Sequence, residues 1–295
     1  MNKLEKKVDN MRLYIKVREK LLNINFDEDK HVYKHSKTGK VYGGCSTIAG
    51  ITRKPWLTPW ALKKMEQDLM SNWDLRKKYN SKEKKELLKD AKKASKKYTQ
   101  KSADRGTIIH YCLEKWCKEG NMDNIQDDFE SPDIDTGDLK ELSTEDIPEV
   151  IEDHEEALKG FKNWFEERDV YTIESELIVA DHEHCIAGTL DLICFYKDND
   201  GIHKVALVDF KTSNIVGKSA FLQTAGYKMM LQKMGINPQI RIILQLSEAD
   251  NKYNEPFNEI IIPEENYEFE KECFLSQNTI RRYESYFENK IKSKI

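Results

Sequence analysis

Two acids and one lysine lie inside strongly apolar runs of this 295-residue sequence. Asp191 lies in Gly188-Thr-Leu-Asp-Leu-Ile, and Asp209 and Lys211 lie in Val205-Ala-Leu-Val-Asp-Phe-Lys. Desolvating an unpaired carboxylate costs several kcal/mol unless a cation or hydrogen bonds compensate it. These acids therefore indicate either a bound metal ion or a tight ion pair, and we favour the metal ion.

Strand geometry predicts that the three side chains converge. Because side chains alternate along a strand, Asp209 and Lys211 share one face. The apolar segments 186–196 and 204–210 are separated by a short polar turn that ends in glycine, which is typical of a hairpin. The two strands are then antiparallel neighbours, and Asp191 can reach the same face.

Carboxylates at close range favour a hard divalent cation with oxygen ligands. Mg²⁺ and Mn²⁺ fit this description, and both keep several water molecules when they bind protein. Such an ion lowers the pKa of bound water and neutralises charge on a phosphoryl oxygen, while Lys211 can position the water or stabilise the transition state. The residue types predict phosphodiester hydrolysis.

Four short motifs resemble those of the PD-(D/E)XK nuclease superfamily, in particular its RecB-type branch. In chain order they are Gly106-Thr-Ile-Ile-His110, Gly188-Thr-Leu-Asp191, Asp209-Phe-Lys211-Thr-Ser and Gln223-Thr-Ala-Gly-Tyr227. Each motif alone is weak, but all four occur in the family's order. The resemblance covers residues 100–247 and, more loosely, 40–66, where the sequence is similar to phage and mitochondrial genome maintenance exonucleases.

The resemblance implies a role for each motif residue. It implies four metal ligands, which are His110, Asp191, Asp209 and the backbone carbonyl of Phe210. It also implies a catalytic set made of Lys211, Asp209, Asp191 and a glutamate on the preceding strand, Glu176 in preference to Glu174.

Three residues near the fourth motif are candidates for substrate binding. Gln223 and Tyr227 are four residues apart and so share one helix face, and Lys218 lies about one turn earlier. The resemblance implies that Gln223 and Tyr227 either support the site or contact DNA.

The cofactor expected from these residues is Mg²⁺ or Mn²⁺, as one or two ions, without an iron–sulfur cluster. The six cysteines form no Cys-x-x-Cys pair and only Cys273 lies near the C-terminus, so we interpret them as reduced thiols, mostly in the core. His182-Glu-His184-Cys185 could suggest zinc, but no fourth ligand is evident and a turn between strands is the favoured interpretation.

Composition and charge limit the other possibilities. The chain has 39% hydrophobic residues, enough for a core, and no apolar run of about 18 residues or secretion signal, so we expect a soluble cytoplasmic protein without a membrane partner. The net charge is −4, yet residues 75–101 hold twelve basic residues against three acids, and residues 123–156 hold fifteen acids against one lysine. A basic helical segment could grip a phosphate backbone, although a solvated helix beside a disordered loop is an equal alternative.

The predicted architecture is α/β, a restriction-endonuclease-like core with a central mixed sheet flanked by helices, plus an N-terminal helical cap. We predict a basic hairpin and cap over 1–101 and a nuclease core over 102–295, with an acidic insertion at about 120–148. The predicted helices are 1–22, 57–101 with a break near Asn80, 103–118, 149–168, 217–235 and 264–292. The predicted strands are a hairpin over 30–43, then 172–180, 186–196, 204–210, 239–246 and 258–262.

The function that follows is a metal-dependent deoxyribonuclease. We expect an exonuclease acting on duplex ends or single strands, with endonuclease action left open, in phage or bacterial recombination, replication or repair. A single-strand-binding or recombination protein is the expected partner besides DNA. The alternative is a DNA- or partner-binding protein that keeps the fold without turnover. A serine or cysteine hydrolase is disfavoured because Gly-x-Ser-x-Gly is absent and no cysteine has an evident histidine partner in the sequence.

Overall fold

The computed structural model describes residues 3–27, 30–51, 57–74, 76–119, 139–248 and 256–291. Its eight α-helices in these ranges are α1 Lys3–Leu22, α2 Cys45–Ala49, α3 Leu57–Asn72, α4 Ser81–Glu119, α5 Ile147–Asp153, α6 Glu155–Glu167, α7 Lys218–Lys233 and α8 Tyr267–Tyr286. The strands are β1 Ile24–Asp27, β2 Val32–His35, β3 Val41–Gly44, β4 Tyr171–Asp181, β5 Ile186–Lys197, β6 His203–Lys211, β7 Ile240–Leu246 and β8 Phe257–Ile262.

All eight strands form one mixed sheet. The hydrogen-bonded order is β1-β2-β3-β5-β6-β7-β8, and β4 pairs with β5. The β3–β5 and β6–β7 pairs are parallel, and the others are antiparallel. The predicted β5–β6 hairpin is confirmed, and its turn uses Gly201 at a φ of 74°, where a side chain is disfavoured.

The sheet divides along one edge of β5. Residues 192–197 of this edge pair with β6, whereas Ile186 and Ala187 pair with β3. Beyond Val208, β6 separates from β5 and continues along β7, where Asp209 lies opposite Ile243. Residues 188–191 therefore lie in a fork between β3 and β6.

Helices cover both faces of the sheet, as the alternating apolar pattern requires. Leu192, Cys194 and Tyr196 of β5 join the core beneath α4, α5 and α6. Ile193 and Phe195 join the second core, beneath α1, α2, α7 and α8. Burial on both faces explains why β5 and β6 are almost continuously apolar rather than alternating with polar residues. The predicted mixed α/β sheet with an N-terminal helix is confirmed.

Two predicted helix boundaries are wrong. The interruption predicted between 101 and 103 is absent, because α4 is continuous from Ser81 to Glu119. The helix predicted over 149–168 is instead the pair α5 and α6, which meet at His154, whose ring Nδ1 lies 2.8 Å from the Val150 carbonyl oxygen.

The predicted N-terminal hairpin extends beyond its expected size. It gains a third strand, β1, and joins the main sheet through β3.

The division into a cap over 1–101 and a core over 102–295 stays a prediction. Residues 120–138, most of the predicted acidic insertion, lie outside the described residues. No helix among those described combines the length and the apolar character needed to cross a bilayer.

Candidate active site and metal centre

Three side chains from different elements converge beside the fork. His110 comes from α4, Glu176 from β4 and Asp191 from β5, and each offers a ligand atom within 4.8 Å of the others. His110 Nδ1 lies 3.7 Å from Asp191 Oδ1. We call these three residues the acid–histidine cluster.

The backbone of β4 places Glu176, and not Glu174, in the cluster. Ser175 pairs with Leu192 and Leu177 with Leu190, so Glu176 lies across from Asp191. Glu176 has a φ of 50°, a left-handed conformation that costs a residue with a Cβ about 1–2 kcal/mol. Such strain is typical of functional positions, where the surrounding structure holds it.

Burial and like charges disfavour the ionised forms of the two acids in the cluster, and a bound cation would stabilise those forms. Burial, with Asp191 and Glu114 adding negative charge, raises the pKa of Glu176 to about 8. Burial also raises the pKa of Asp191 to about 6, despite the opposing effect of Lys211. Burial and Lys211 lower the pKa of His110 to about 4, so its imidazole is neutral at pH 7 and free to act as a ligand.

Asp209 and Lys211 form an ion pair next to this cluster. Asp209 is fully buried, and Lys211 Nζ lies 2.6 Å from its Oδ2. Apart from this pair, neither Asp209 oxygen has a hydrogen bond from any described group. Burial raises the pKa of Asp209 to about 6, and Lys211 opposes that rise. Asp209 does not meet the 4.8 Å limit that defines the acid–histidine cluster.

Lys211 keeps its proton despite being largely enclosed. Burial lowers the pKa of Lys211, but the negative charges of Asp209 and Asp191 outweigh burial, so the pKa lies above its usual value. An ammonium group is therefore fixed near two carboxylates, those of Asp209 and Asp191, and near the neutral His110.

Phe210 links the two halves of the site through its backbone. Its nitrogen donates a hydrogen bond of 2.5 Å to Asp191 Oδ2, and a backbone hydrogen bond joins it to His110. Its ring is buried and lies edge-on to the His110 ring, with centroids 6.0 Å apart. The backbone of Phe210 thus lies at the site, as the predicted carbonyl ligand requires, although its role as a ligand stays a prediction.

A chain of hydrogen bonds runs from Lys211 to β5. Lys211 Nζ donates to Gln223 Oε1 at 3.3 Å, and Gln223 Nε2 donates to Tyr227 Oη at 3.2 Å. The Tyr227 hydroxyl donates to the Thr189 carbonyl oxygen at 2.6 Å. Tyr227 is only 3% exposed and its hydroxyl is engaged in this chain, and its role, support of the site or contact with DNA, stays a prediction. Lys218, at the start of α7, is exposed.

Because residue 188 is a glycine, the side chains of Tyr227 and Cys45 can pack closely against β5. A Cβ at residue 188 would lie 2.8 Å from the Cβ of Cys45 and 2.9 Å from Cε1 of Tyr227. The glycine of the second motif is therefore required by packing. Cys45 lies more than 140 residues away in the sequence, so its contact with this position could not be predicted.

Glu114 is a residue of the site that sequence reasoning missed. It lies one turn after His110 on α4, forms an ion pair with Lys118 and adds negative charge at Glu176. Its spacing of four from His110 was the available signal, because residues i and i+4 share a helix face.

The segment considered as an alternative zinc site forms a turn whose side chains have contacts of their own. His182 Nδ1 lies 2.8 Å from the Tyr42 hydroxyl, and His184 Nδ1 lies 2.7 Å from Asp181 Oδ2. Glu183 pairs with Lys233 at 2.8 Å. Residues 182–185 form the turn between β4 and β5, as the favoured interpretation predicted.

The donor set fits a divalent cation. The acid–histidine cluster combines carboxylate oxygens with one neutral imidazole. The neighbouring buried carboxylate, Asp209, has no hydrogen-bond donor among the described residues other than its ion-pair partner Lys211. Buried carboxylates with raised pKa values are stabilised when a cation binds them, and hard cations such as Mg²⁺ and Mn²⁺ prefer oxygen ligands.

A comparison with known protein families agrees with this geometry. The model of the PD-(D/E)XK nuclease superfamily matches residues 77–290, a range that includes α4, the fork and α7. No curated protein matches the chain. The match covers well over half of the sequence and contains all four motifs, so the chain belongs to the PD-(D/E)XK nuclease superfamily.

Proposed function

We propose that this nuclease is a metal-dependent deoxyribonuclease, and that it acts as an exonuclease on duplex ends or single strands. The observation that carries the proposal is the convergence of the acid–histidine cluster with the Lys211 ammonium at the fork. Superfamily membership supports nuclease activity and a DNA substrate. The loose N-terminal resemblance to phage and mitochondrial exonucleases supports action on ends.

The cation would be held by the cluster, with Asp209 and the Phe210 carbonyl as the remaining predicted ligands. When bound, a divalent cation neutralises charge on a phosphoryl oxygen and lowers the pKa of a coordinated water. Lys211 stays protonated and can stabilise the negative charge that builds up on the phosphoryl oxygens. Gln223 holds the Lys211 ammonium in place.

The proposed setting is recombination, replication or repair in the cytoplasm of a bacterial host cell, for a phage or bacterial protein. A single-strand-binding or recombination protein is the proposed partner. These proposals rest on the same resemblance.

Degradation of end-labelled DNA tests the proposed function. Linear and circular DNA, single- and double-stranded, are incubated with Mg²⁺, Mn²⁺ or EDTA and the native chain, Lys211→Ala or Asp209→Asn. The control is Lys20→Ala, an exposed lysine of α1. We expect metal-dependent loss of linear DNA in the native chain and control only.

The outcomes separate the possible activities. Survival of circular DNA marks an exonuclease, and its loss marks an endonuclease. DNA binding without cleavage under any metal would instead support the alternative of a catalytically silent binding protein.

A further inference from the structure

The helix that carries His110 extends far beyond the active site. Helix α4 begins at Ser81, and its 39 residues are continuous. Residues three and four apart share a helix face. Starting at His110 and moving toward the N-terminus in such steps, the face passes through Thr107, Ala103 and Thr99.

The same face then reaches four lysines. They are Lys96, Lys92, Lys89 and Lys85. The 25 residues from Lys85 to His110 complete about seven turns at 3.6 residues per turn, so both ends of the series lie on one side of the helix. We call these four residues the lysine track.

The track is open to solvent along its length. All four lysines are exposed, and no acid within the described parts of the chain lies at ion-pair distance from any of them. Lysines beside the track are different, since Lys93 pairs with Asp90 and Lys77 pairs with Glu83.

The opposite face of this part of α4 is already occupied. Ala91 and Ala94 are buried where α3 packs against α4. Between the track and His110 the exposed residues Thr99, Ala103 and Thr107 are small. No large side chain of α4 on this face therefore lies between the lysines and the acid–histidine cluster.

We propose that the lysine track binds the backbone phosphates of duplex DNA whose scissile phosphate lies at the acid–histidine cluster. The proposal rests on the nuclease function proposed for that cluster. At a rise of 1.5 Å per residue, Lys96 lies about 21 Å and Lys85 about 38 Å from His110 along the helix. These distances correspond to about 6 and about 11 base pairs at 3.4 Å each.

Charge complementarity indicates that the lysine track binds the DNA backbone. Flexible ammonium groups spaced along a rigid helix match a regular row of phosphates and read no base sequence. Each phosphate contact releases condensed cations, so binding weakens as salt rises. The whole chain has a net charge of −4, so attraction to DNA depends on local groups such as these rather than on overall charge.

The test compares two variants with the same change in charge. One replaces the track, as Lys85→Gln, Lys89→Gln, Lys92→Gln and Lys96→Gln. The other replaces four exposed lysines of α1, as Lys6→Gln, Lys7→Gln, Lys16→Gln and Lys20→Gln. Glutamine has nearly the helix propensity of lysine, and thermal unfolding confirms that both variants fold.

Binding is measured by fluorescence anisotropy in EDTA, so that no cleavage occurs. The ligands are DNA hairpins with a 5-base-pair or a 20-base-pair stem, titrated at several salt concentrations. For the long stem, we expect the track variant to bind at least about tenfold more weakly at 100 mM salt, with the salt slope reduced by about 3 to 4. For the short stem, both variants should bind like the native chain.

Two results would overturn the proposal. The first is native-like binding of the long stem by the track variant, and the second is an equal loss in the α1 variant. Failure of the proposed function is distinct, because it would appear as absence of metal-dependent cleavage by the native chain while the difference between long and short stems persisted.

Discussion

The carboxylate of Asp191 accepts a hydrogen bond of 2.5 Å from the backbone nitrogen of Phe210. This bond joins β5 to β6 immediately beyond their last ladder pair, Leu192 with Val208. The fork itself therefore orients Asp191, whose other oxygen, Oδ1, lies 3.7 Å from His110 Nδ1. A proposed metal ligand is held by the main chain at the point where the strands separate.

Asp191→Asn should abolish metal binding and leave the fold intact. The asparagine side-chain oxygen can still accept from Phe210, but the negative charge is lost. We expect cleavage to fall at least about 100-fold. Titration with Mn²⁺ followed by calorimetry should show no binding heat, while the melting temperature in EDTA should stay within a few degrees. Native-like Mn²⁺ affinity in this variant would contradict the role of Asp191 as a ligand.

The stability of the metal-free protein should fall as pH rises. The pKa of Glu176 in the folded state is about 8, above its usual 4.5, so the folded state binds more protons between these values. The stabilisation is complete below about pH 4.5 and is lost as pH rises through about 8. Divalent cations bind the ionised carboxylates, so their stabilising effect should grow over the same range.

Thermal unfolding from pH 5.5 to 8.5, with EDTA or Mn²⁺, checks this expectation. Glu176→Gln should reduce the pH dependence in EDTA chiefly above about pH 6, because Asp191 and Asp209 titrate near pH 6, whereas Glu166→Gln, an exposed residue of α6, should leave it unchanged. An unchanged pH profile in Glu176→Gln would show that this carboxyl is not the group responsible.

Tyr227→Phe should reduce turnover more than substrate affinity. The change removes the hydrogen bond to Thr189 and the acceptor for Gln223, which in turn contacts Lys211. We expect a loss of about 1 kcal/mol in stability and a fall of about 10-fold to 100-fold in kcat, with little change in KM. The exposed Tyr286→Phe is the matched control. A rise in KM at constant kcat would instead indicate direct contact with DNA.

Gly188→Ala should destabilise the protein through a steric clash. The new methyl group would lie 2.8 Å from the Cys45 Cβ and 2.9 Å from a carbon of the Tyr227 ring. We expect a loss of about 1–3 kcal/mol in the free energy of unfolding, measured by denaturant titration. Gly217→Ala, whose Cβ would have Ser219 Oγ at 3.8 Å, is the control and should lose less than about 1 kcal/mol. An equal loss of stability in Gly188→Ala and Gly217→Ala would contradict the conclusion that close packing requires glycine at residue 188.

Asp104→Ala should be strongly destabilising, although Asp104 is not part of the site. Its buried carboxylate accepts from the Gln100 side chain and from the backbone nitrogens of residues 140–142, which it fixes to α4. Removing it leaves several donors without their acceptor, at a cost of about 2–4 kcal/mol by denaturant unfolding. Asp90→Ala, an exposed acid of the same helix, should change stability by less than about 0.5 kcal/mol.

The strands and motifs of the core were predictable because their signals are local. Segments 186–196 and 204–210 were predicted as strands, and the observed β5 and β6 extend them by only a residue at some ends. Apolar runs of this length, separated by a polar turn with glycine, leave few alternatives. Burial of Asp191 and Asp209 followed from the same runs.

Other features depended on contacts that are distant in sequence or on backbone detail. Alternation could not separate Glu176 from Glu174, because the left-handed backbone at Glu176 departs from regular strand geometry. The supposed helix boundary near residue 102 was inferred from a change in composition, yet Ala103 continues α4 without interruption. Glu114 resembled an ordinary surface acid until the fold placed Glu176 beside it.

Because α4 is one continuous helix, a movement at one end of it is transmitted to the other end. A rigid rod that turns by one degree about His110 moves a point 38 Å away by about 0.7 Å, with the length taken from the helical rise. The reverse also holds, since a displacement of the far end becomes a small rotation at the histidine. A pull on the helix near Lys85 would therefore act as a rotation at His110, which lies next to Asp191 and Glu176.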